Sequence, residues 1–163
     1  MKFLADGKIN SNRLLQITLF FTLLYVLLLW ITNILIFTEK MGFNYESVSE
    51  YYVGSEENFR NPFSYAGLLE MTHIHLFLFA MALLLVNHLT IFSRLPQFAK
   101  LLLILISFTA GLSDIGSGWL IRYISPSFAY LKIASFVIFQ ISFFFLILSS
   151  FFAFNIYQNH KRE

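Results

Sequence analysis

Four ionisable side chains interrupt one apolar stretch of the 163-residue chain, and their types suit cofactor binding, metal binding or proton transfer. Residues 70–89 read EMTHIHLFLFAMALLLVNHL, in which Glu70, His73, His75 and His88 are the ionisable residues. The stretch is otherwise long and apolar enough to cross a bilayer. Ionisable groups are costly in hydrocarbon and usually mark functional sites, so each of the four is a candidate site residue.

The three histidines suggest ligation of haem b. In membrane bundles that hold two haems, one helix commonly carries two histidines separated by about four turns, and His88 has roughly this separation from both His73 and His75. No other apolar block contains a histidine, so one copy of the chain cannot supply both axial ligands from different helices. Haem binding would require a symmetric homodimer, a histidine of another subunit, or Met71 or Met81 as the second ligand.

Glu70 and His73 have the E-x-x-H spacing that carboxylate-bridged di-metal bundles use, because residues i and i+3 project to one side of a helix. Such sites also need a second E-x-x-H motif and glutamates from two further helices. Here the other acid available inside an apolar block is Asp114. The spacing therefore predicts a mononuclear site for a divalent metal, with Glu70, His73 and Asp114 as ligands.

Asp114 is an acidic residue well inside a predicted membrane span, so its charge needs a partner. A charged and unpaired aspartate in a membrane span would cost about 2.5 to 3.5 kcal/mol on the insertion scale. Arg122 follows two turns later on the same helix, and His73 is predicted at a similar depth. We therefore predict a buried ion pair between Asp114 and either Arg122 or His73. A path for protons or ions through Asp114 and His73 is the functional alternative.

The elements that must position these residues are membrane-spanning helices. Hydrophobic residues make up 58% of the chain and charged residues 12%, and the 21 Phe residues suit a surface exposed to lipid. Absence of Cys excludes disulfides and thiolate metal sites. The apolar blocks predict a single all-α domain over 1–163, with four helices running up, down, up and down. The predicted spans are 14–38, 66–93, 99–122 and 127–157.

The loops predict the orientation. Lys and Arg concentrate before the first span, in the turn between the second and third, and at the C terminus, which predicts cytoplasmic termini in a bacterial inner membrane. The outer loop, 39–65, should contain a short helix that Asn44 caps and Gly54 ends. We predict that this helix lies flat on the bilayer surface with its tyrosines among the headgroups.

Polar side chains should face protein and not lipid, so their spacing predicts the inward face of each span. At 100° per residue, Glu70, His73, Asn87 and His88 share a broad face of the second span, and His75 points away from it. The other spans have comparable polar faces, which we interpret as packing surfaces. They are Thr18, Thr22, Tyr25 and Thr32 in the first, Ser107, Gly111, Asp114, Ser117 and Gly118 in the third, and Ser135, Ser142 and Ser149 in the fourth.

These patterns predict a small multi-pass subunit or accessory factor of a redox or cofactor-handling membrane complex, with a role in electron transport. The cofactor would be haem b or a divalent metal, and the partners would be the lipid bilayer and either a second copy or a larger complex. No motif for nucleic-acid binding is present, and we expect no catalytic activity from the chain on its own. The alternative is a structural or assembly protein without a cofactor.

Overall fold

The structure, a computed structural model, describes residues 13–159, and for residues 15 and 152–159 it describes the backbone alone. This part of the chain is all-helical and contains no strand, as the sequence predicts. Four of its helices are long and apolar enough to span a membrane, so the protein is a multi-pass membrane protein within a lipid bilayer. The helices are α1 (Arg13–Lys40), α2 (Tyr45–Val53), α3 (Tyr65–Ile91), α4 (Gln97–Tyr123) and α5 (Ala129–Asn159).

Local signals in the sequence set the ends of these helices. Ser64 caps α3 by accepting a hydrogen bond from the backbone N–H of Gly67 at 3.1 Å. The short connection to α4 ends at Pro96, and Lys100 ties the turn together by donating to the Ile91 carbonyl at 2.7 Å. Before α5, Ser125 caps a single 3-10 turn, Pro126–Phe128. The four long helices therefore alternate in direction.

The short helix α2 packs over one end of the bundle, which we call the α2 end. Asn44 accepts from the Ser47 N–H at 2.7 Å, and Gly54 ends the helix with a φ of +90°, a backbone conformation that favours glycine. Tyr52 was predicted to lie among the headgroups, and this is wrong, because its side chain is fully buried. The helix therefore contributes to the protein core.

The central helix of the bundle is α5, which packs against all four other helices. Its apolar stretch is half buried, whereas only about a tenth of the corresponding stretch of α1 is buried. The first helix contacts α5 through its aromatic residues Phe37 and Trp30, and Trp30 also stacks on Phe144. The Phe37 ring stacks on Phe136 with centroids 3.7 Å apart, and the Trp30 indole N–H donates to the backbone carbonyl of Gln140 at 3.1 Å. The α1 helix is thus attached along one side only.

Candidate functional site

Most of the polar stripe of α3 faces away from the bundle, so the predicted inward orientation is wrong for Glu70, His73 and His88, whereas Asn87 is buried as predicted. Glu70, His73 and His88 are exposed, whereas His75 is half-buried among the other helices. The packed face is mainly apolar with two polar residues, Asn87 and Thr90, and the small Ala82 lets a neighbouring helix approach closely. The buried residues of α3 are Leu68, Ala82, Leu83, Val86, Asn87 and Thr90.

The positions of the exposed groups explain how lipid tolerates them. His73 lies about 12 Å from the first residue of α3, and His88 lies about 4.5 Å from the last, by the helical rise. At these depths a polar side chain can reach the headgroup region, so it need not turn toward protein. Helical spacing correctly separated His75 from Glu70 and His73, but it grouped the buried Asn87 with the exposed His88. It did not decide which side of the helix is packed.

The predicted metal ligands do not come together. Asp114 is buried within the bundle, while Glu70 and His73 point outward. Among residues 13–159, no group of three or more His, Cys, Asp or Glu side chains could hold a metal ion. The predicted haem ligands are also divided, since His75 points inward and His73 and His88 point outward. Haem ligation between two copies of the chain stays a prediction.

Asp114 forms a buried ion pair with Lys132 near the start of α5. The Lys132 Nζ lies 2.9 Å from Asp114 Oδ1 and also donates to the Asp114 backbone carbonyl at 2.9 Å. The predicted pairs with Arg122 and His73 are wrong. Arg122 instead donates through Nε to the Phe63 carbonyl at 3.0 Å. The long lysine side chain lets a cation from the helix end neutralise an acid deeper in the bundle.

Tyr52 covers the ion pair from the α2 end. Its ring packs so closely on Gly118 of α4 that a Cβ there would lie 2.9 Å from the tyrosine Cε1. Burial raises the pKa of the Tyr52 hydroxyl, and the positive charge of Lys132 opposes part of this effect. The hydroxyl is therefore neutral at physiological pH. Tyr52 and the Asp114–Lys132 pair close the core at this end of the molecule.

A small recess of about 40 Å³ lies beside the ion pair, which is room for a few water molecules at most. It is bounded by side chains from α1 to α5, with polar groups along much of its wall. Its polar lining residues are Asn33, Tyr52, Thr72, His75, Asp114 and Lys132.

A larger cleft of about 280 Å³ lies between α1, α3 and α5 and shares Asn33, Ile36 and His75 with the recess. Ile36 of α1 and Ile74 of α3 line it and are each 54% exposed, so the cleft opens sideways into the bilayer. Its remaining wall is mainly aromatic and aliphatic, formed by Leu29, Trp30, Leu78, Phe79, Ala82, Phe139 and Phe143, with Thr32, Lys40 and Gln140 as further polar residues.

His75 presents a defined ring nitrogen to this region. Its Nδ1 lies 2.7 Å from the backbone carbonyl of Met71, which can only accept, so Nδ1 carries the hydrogen. The neutral ring therefore has Nε2 as an acceptor. An edge-to-face contact with Phe79, at 5.6 Å between centroids, further fixes the ring. A carbonyl holding one imidazole nitrogen while the other is left to a ligand is the usual arrangement of cofactor-binding histidines.

Gln140 of α5 provides the second polar group of the cleft. Its side chain is only 7% exposed, and neither its amide nitrogen nor its amide oxygen has a hydrogen-bond partner among the described residues. An unsatisfied polar group in the interior of a membrane protein costs free energy, because no bulk water is available to replace the missing bonds. The amide therefore has hydrogen-bonding capacity that the fold itself does not use.

Residues 42–162 match a family described as a transmembrane helical domain, Aq_1264_TM. The match covers most of the chain. This chain belongs to the Aq_1264_TM family. Comparisons with curated proteins and with solved structures give no match.

The Aq_1264_TM segment contains α2 to α5 and so holds His75, Asp114, Lys132 and Gln140, whereas the α1 wall of the cleft precedes it. Sequence reasoning did not single out Gln140 as a site residue. Gln140 carried a usable signal, since it is an amide within a span whose other polar residues are mainly serines. Serine hydroxyls can bond to their own helix backbone, but a glutamine amide seldom does.

Proposed function

We propose that this small multi-helix membrane protein binds a lipid-soluble molecule in the cleft between α1, α3 and α5, as a subunit or accessory factor of a cofactor-handling membrane complex. The unsatisfied amide of Gln140 carries the proposal. A buried amide without a partner is destabilising, and a bound ligand supplies the bonds that the fold omits.

His75 supports the same site from the opposite wall. Its Nε2 accepts a hydrogen bond, and the Gln140 amide can donate or accept one, so together they can orient the polar end of a ligand. The apolar remainder of that ligand can leave the cleft through the side opening. Of the three histidines predicted to bind a cofactor, the proposal therefore keeps His75 alone in that role.

We propose a different role for the outward-facing residues of α3. Glu70, His73 and His88 are placed to contact headgroups or another polypeptide, either a second copy or a larger complex. Their positions near the two ends of a span suit either partner. Location in a bacterial inner membrane with cytoplasmic termini stays part of the proposal, and reporter fusions at both ends of the chain would test it.

The second candidate is a structural or assembly protein without a cofactor. The Asp114–Lys132 pair favours it, because both charges are neutralised inside the bundle and are not presented to a ligand. The proton path through Asp114 and His73 has less support, since His73 points away from Asp114's surroundings.

The two candidates differ in what co-purifies with the protein. Protein isolated in mild detergent should carry a small molecule, detectable by organic extraction and mass spectrometry, and optical spectra of the oxidised and reduced protein would reveal a haem. A double variant, His75→Phe with Gln140→Leu, should lose that molecule. Asn87→Leu is the matched control, because Asn87 is also a buried amide without a partner but lies outside the cleft. Identical extracts from all three proteins would contradict the proposal.

A further inference from the structure

The cleft has the shape and chemistry for one class of ligand, and we infer that it binds the headgroup of a membrane quinol or quinone. This inference rests on the proposed function and names its ligand. It concerns binding alone, because the structure holds no electron donor or acceptor.

The size and shape of the cleft favour a flat ring. Its volume of about 280 Å³ lies near the lower end of small-molecule pockets, which suits a headgroup of one or two rings better than a porphyrin. Three of the lining rings are nearly parallel to one another. Phe139 stacks on Phe79 with an interplanar angle of 17° and on Phe143 with one of 15°. Planar aromatic walls of this kind pack well against another planar ring.

The polar groups of the cleft match the two oxygens of such a ring. A quinol hydroxyl can donate to His75 Nε2, while the other oxygen bonds to the Gln140 amide. The terminal torsion of glutamine is soft, so the amide can turn either its N–H₂ or its carbonyl toward that oxygen. Because Nε2 is an acceptor in the neutral ring, the reduced form, which has hydroxyl donors, should bind more tightly than the quinone.

The opening of the cleft explains where the rest of the molecule lies. Membrane quinones carry an apolar tail, and the exposed side chains of Ile36 and Ile74 mark a lateral exit for it into the acyl chains. A phospholipid is the main competitor, since Lys40 also lines the cleft and could hold a phosphate. Lys132 already forms an ion pair with Asp114, so it is less able to bind a phosphate.

Trp30 provides a reporter inside the cleft, because quinones quench nearby indole fluorescence. The chain has two tryptophans, and Trp119 lies outside the cleft. The experiment therefore uses the full chain in nanodiscs with Trp119→Phe, titrated with ubiquinone-1 and 2-methyl-1,4-naphthoquinone, each in the oxidised and the reduced form. We expect saturable quenching by the quinone and displacement of the bound quinone by the quinol, with the tighter dissociation constant for the quinol. A Trp30→Phe protein, which keeps Trp119, measures quenching by quinone dissolved in the lipid.

Variants then test the two polar contacts. Gln140→Leu and His75→Phe should each weaken binding about three- to tenfold, as expected for the loss of one hydrogen bond. Gln140→Met repeats the first test with a side chain closer in shape. Asn87→Leu, which lies outside the cleft, should leave the affinity unchanged. A large loss with Lys40→Gln would indicate a phosphate ligand and overturn the inference.

The outcomes separate this inference from the proposed function. Quenching that does not saturate, or that is equal in all variants, would show partitioning into lipid and would overturn quinol binding. If a different small molecule still co-purifies and is lost from the His75→Phe, Gln140→Leu protein, the proposed function stands and only the ligand assignment fails. If neither a co-purified molecule nor saturable quenching is found, both fail.

Discussion

Two regions of this protein bury polar groups within the membrane, and they differ in whether those groups have partners within the fold. At the α2 end, Lys132 and Asp114 neutralise each other and Tyr52 seals them in the core. In the cleft, the amide of Gln140 is buried without a hydrogen-bond partner among the described residues, and His75 is held through Nδ1 by the Met71 carbonyl. An unsatisfied buried group points to a ligand where it also lines a cleft large enough to hold one, as Gln140 does and Asn87 does not. The comparison separates structural polar residues from functional ones.

The largest expected effect comes from breaking the ion pair. Asp114→Leu leaves the Lys132 ammonium buried and uncompensated, so the free energy of unfolding should fall by about 3 to 5 kcal/mol. Adding Lys132→Met to that variant should restore most of the loss, since the charge is then removed as well. Unfolding in mixed detergent micelles measures both. If the double variant remained as unstable as the single one, the pair would have a role beyond mutual neutralisation.

A smaller effect is expected where Tyr52 meets α4. Gly118→Ala places a Cβ within 2.9 Å of the tyrosine ring, so α2 must shift and the free energy of unfolding should fall by about 1 to 3 kcal/mol. Gly116→Ala is the matched control, because a Cβ at Gly116 meets no described atom within 4 Å. That variant should be neutral or slightly stabilising, as alanine favours helix. Equal destabilisation by both would mean that Tyr52 does not pack on Gly118.

A polar contact at the opposite end of the bundle should matter less. The hydroxyls of Thr90 and Ser149 lie 2.7 Å apart between α3 and α5. Thr90→Val removes this bond but keeps the side-chain shape, and Ser149 still donates to the Leu146 carbonyl at 2.9 Å. The free energy of unfolding should fall by about 0.6 kcal/mol, the average for such bonds in membrane proteins. If the free energy of unfolding fell by more than about 2 kcal/mol, the Thr90–Ser149 contact would stabilise the fold nearly as much as the ion pair does.

The smallest effect is expected on the outward face of α3. Glu70→Gln, His73→Leu and His88→Leu should each change the stability of the isolated protein by less than about 0.5 kcal/mol, because their side chains make few contacts in the fold. Cross-linking in membranes would show whether the same variants weaken an association with another subunit. Strong destabilisation of the purified monomer would contradict the outward orientation.

Much of the architecture follows from the sequence because it depends on local physics. Long apolar blocks predict spanning helices, and the structure has four. The caps at Asn44 and Ser125 were also predictable, since each depends on a side chain and its neighbouring backbone. The small polar stripes of α4 and α5 are buried as predicted, among them Ser107, Gly118 and Ser142.

Absolute orientation and long-range pairing were not predictable in the same way. The threonines of α1 were expected to face protein, yet Thr18 and Thr32 are exposed, and each hydroxyl donates to a carbonyl of its own helix. A hydroxyl satisfied in this way can face lipid, so it does not report the packed side. The partner of Asp114 depends on the register between α4 and α5, which helical spacing within one helix cannot give.

The central claim is that the Gln140 amide serves a ligand and not the fold. Its most direct test measures two quantities on one preparation of Gln140→Leu, namely the midpoint of thermal unfolding after delipidation and the amount of co-purified small molecule before it. Replacing an unsatisfied buried amide by an apolar side chain should leave the midpoint unchanged or higher, while the amount of co-purified ligand falls. A lower midpoint with an undiminished ligand content would contradict the claim.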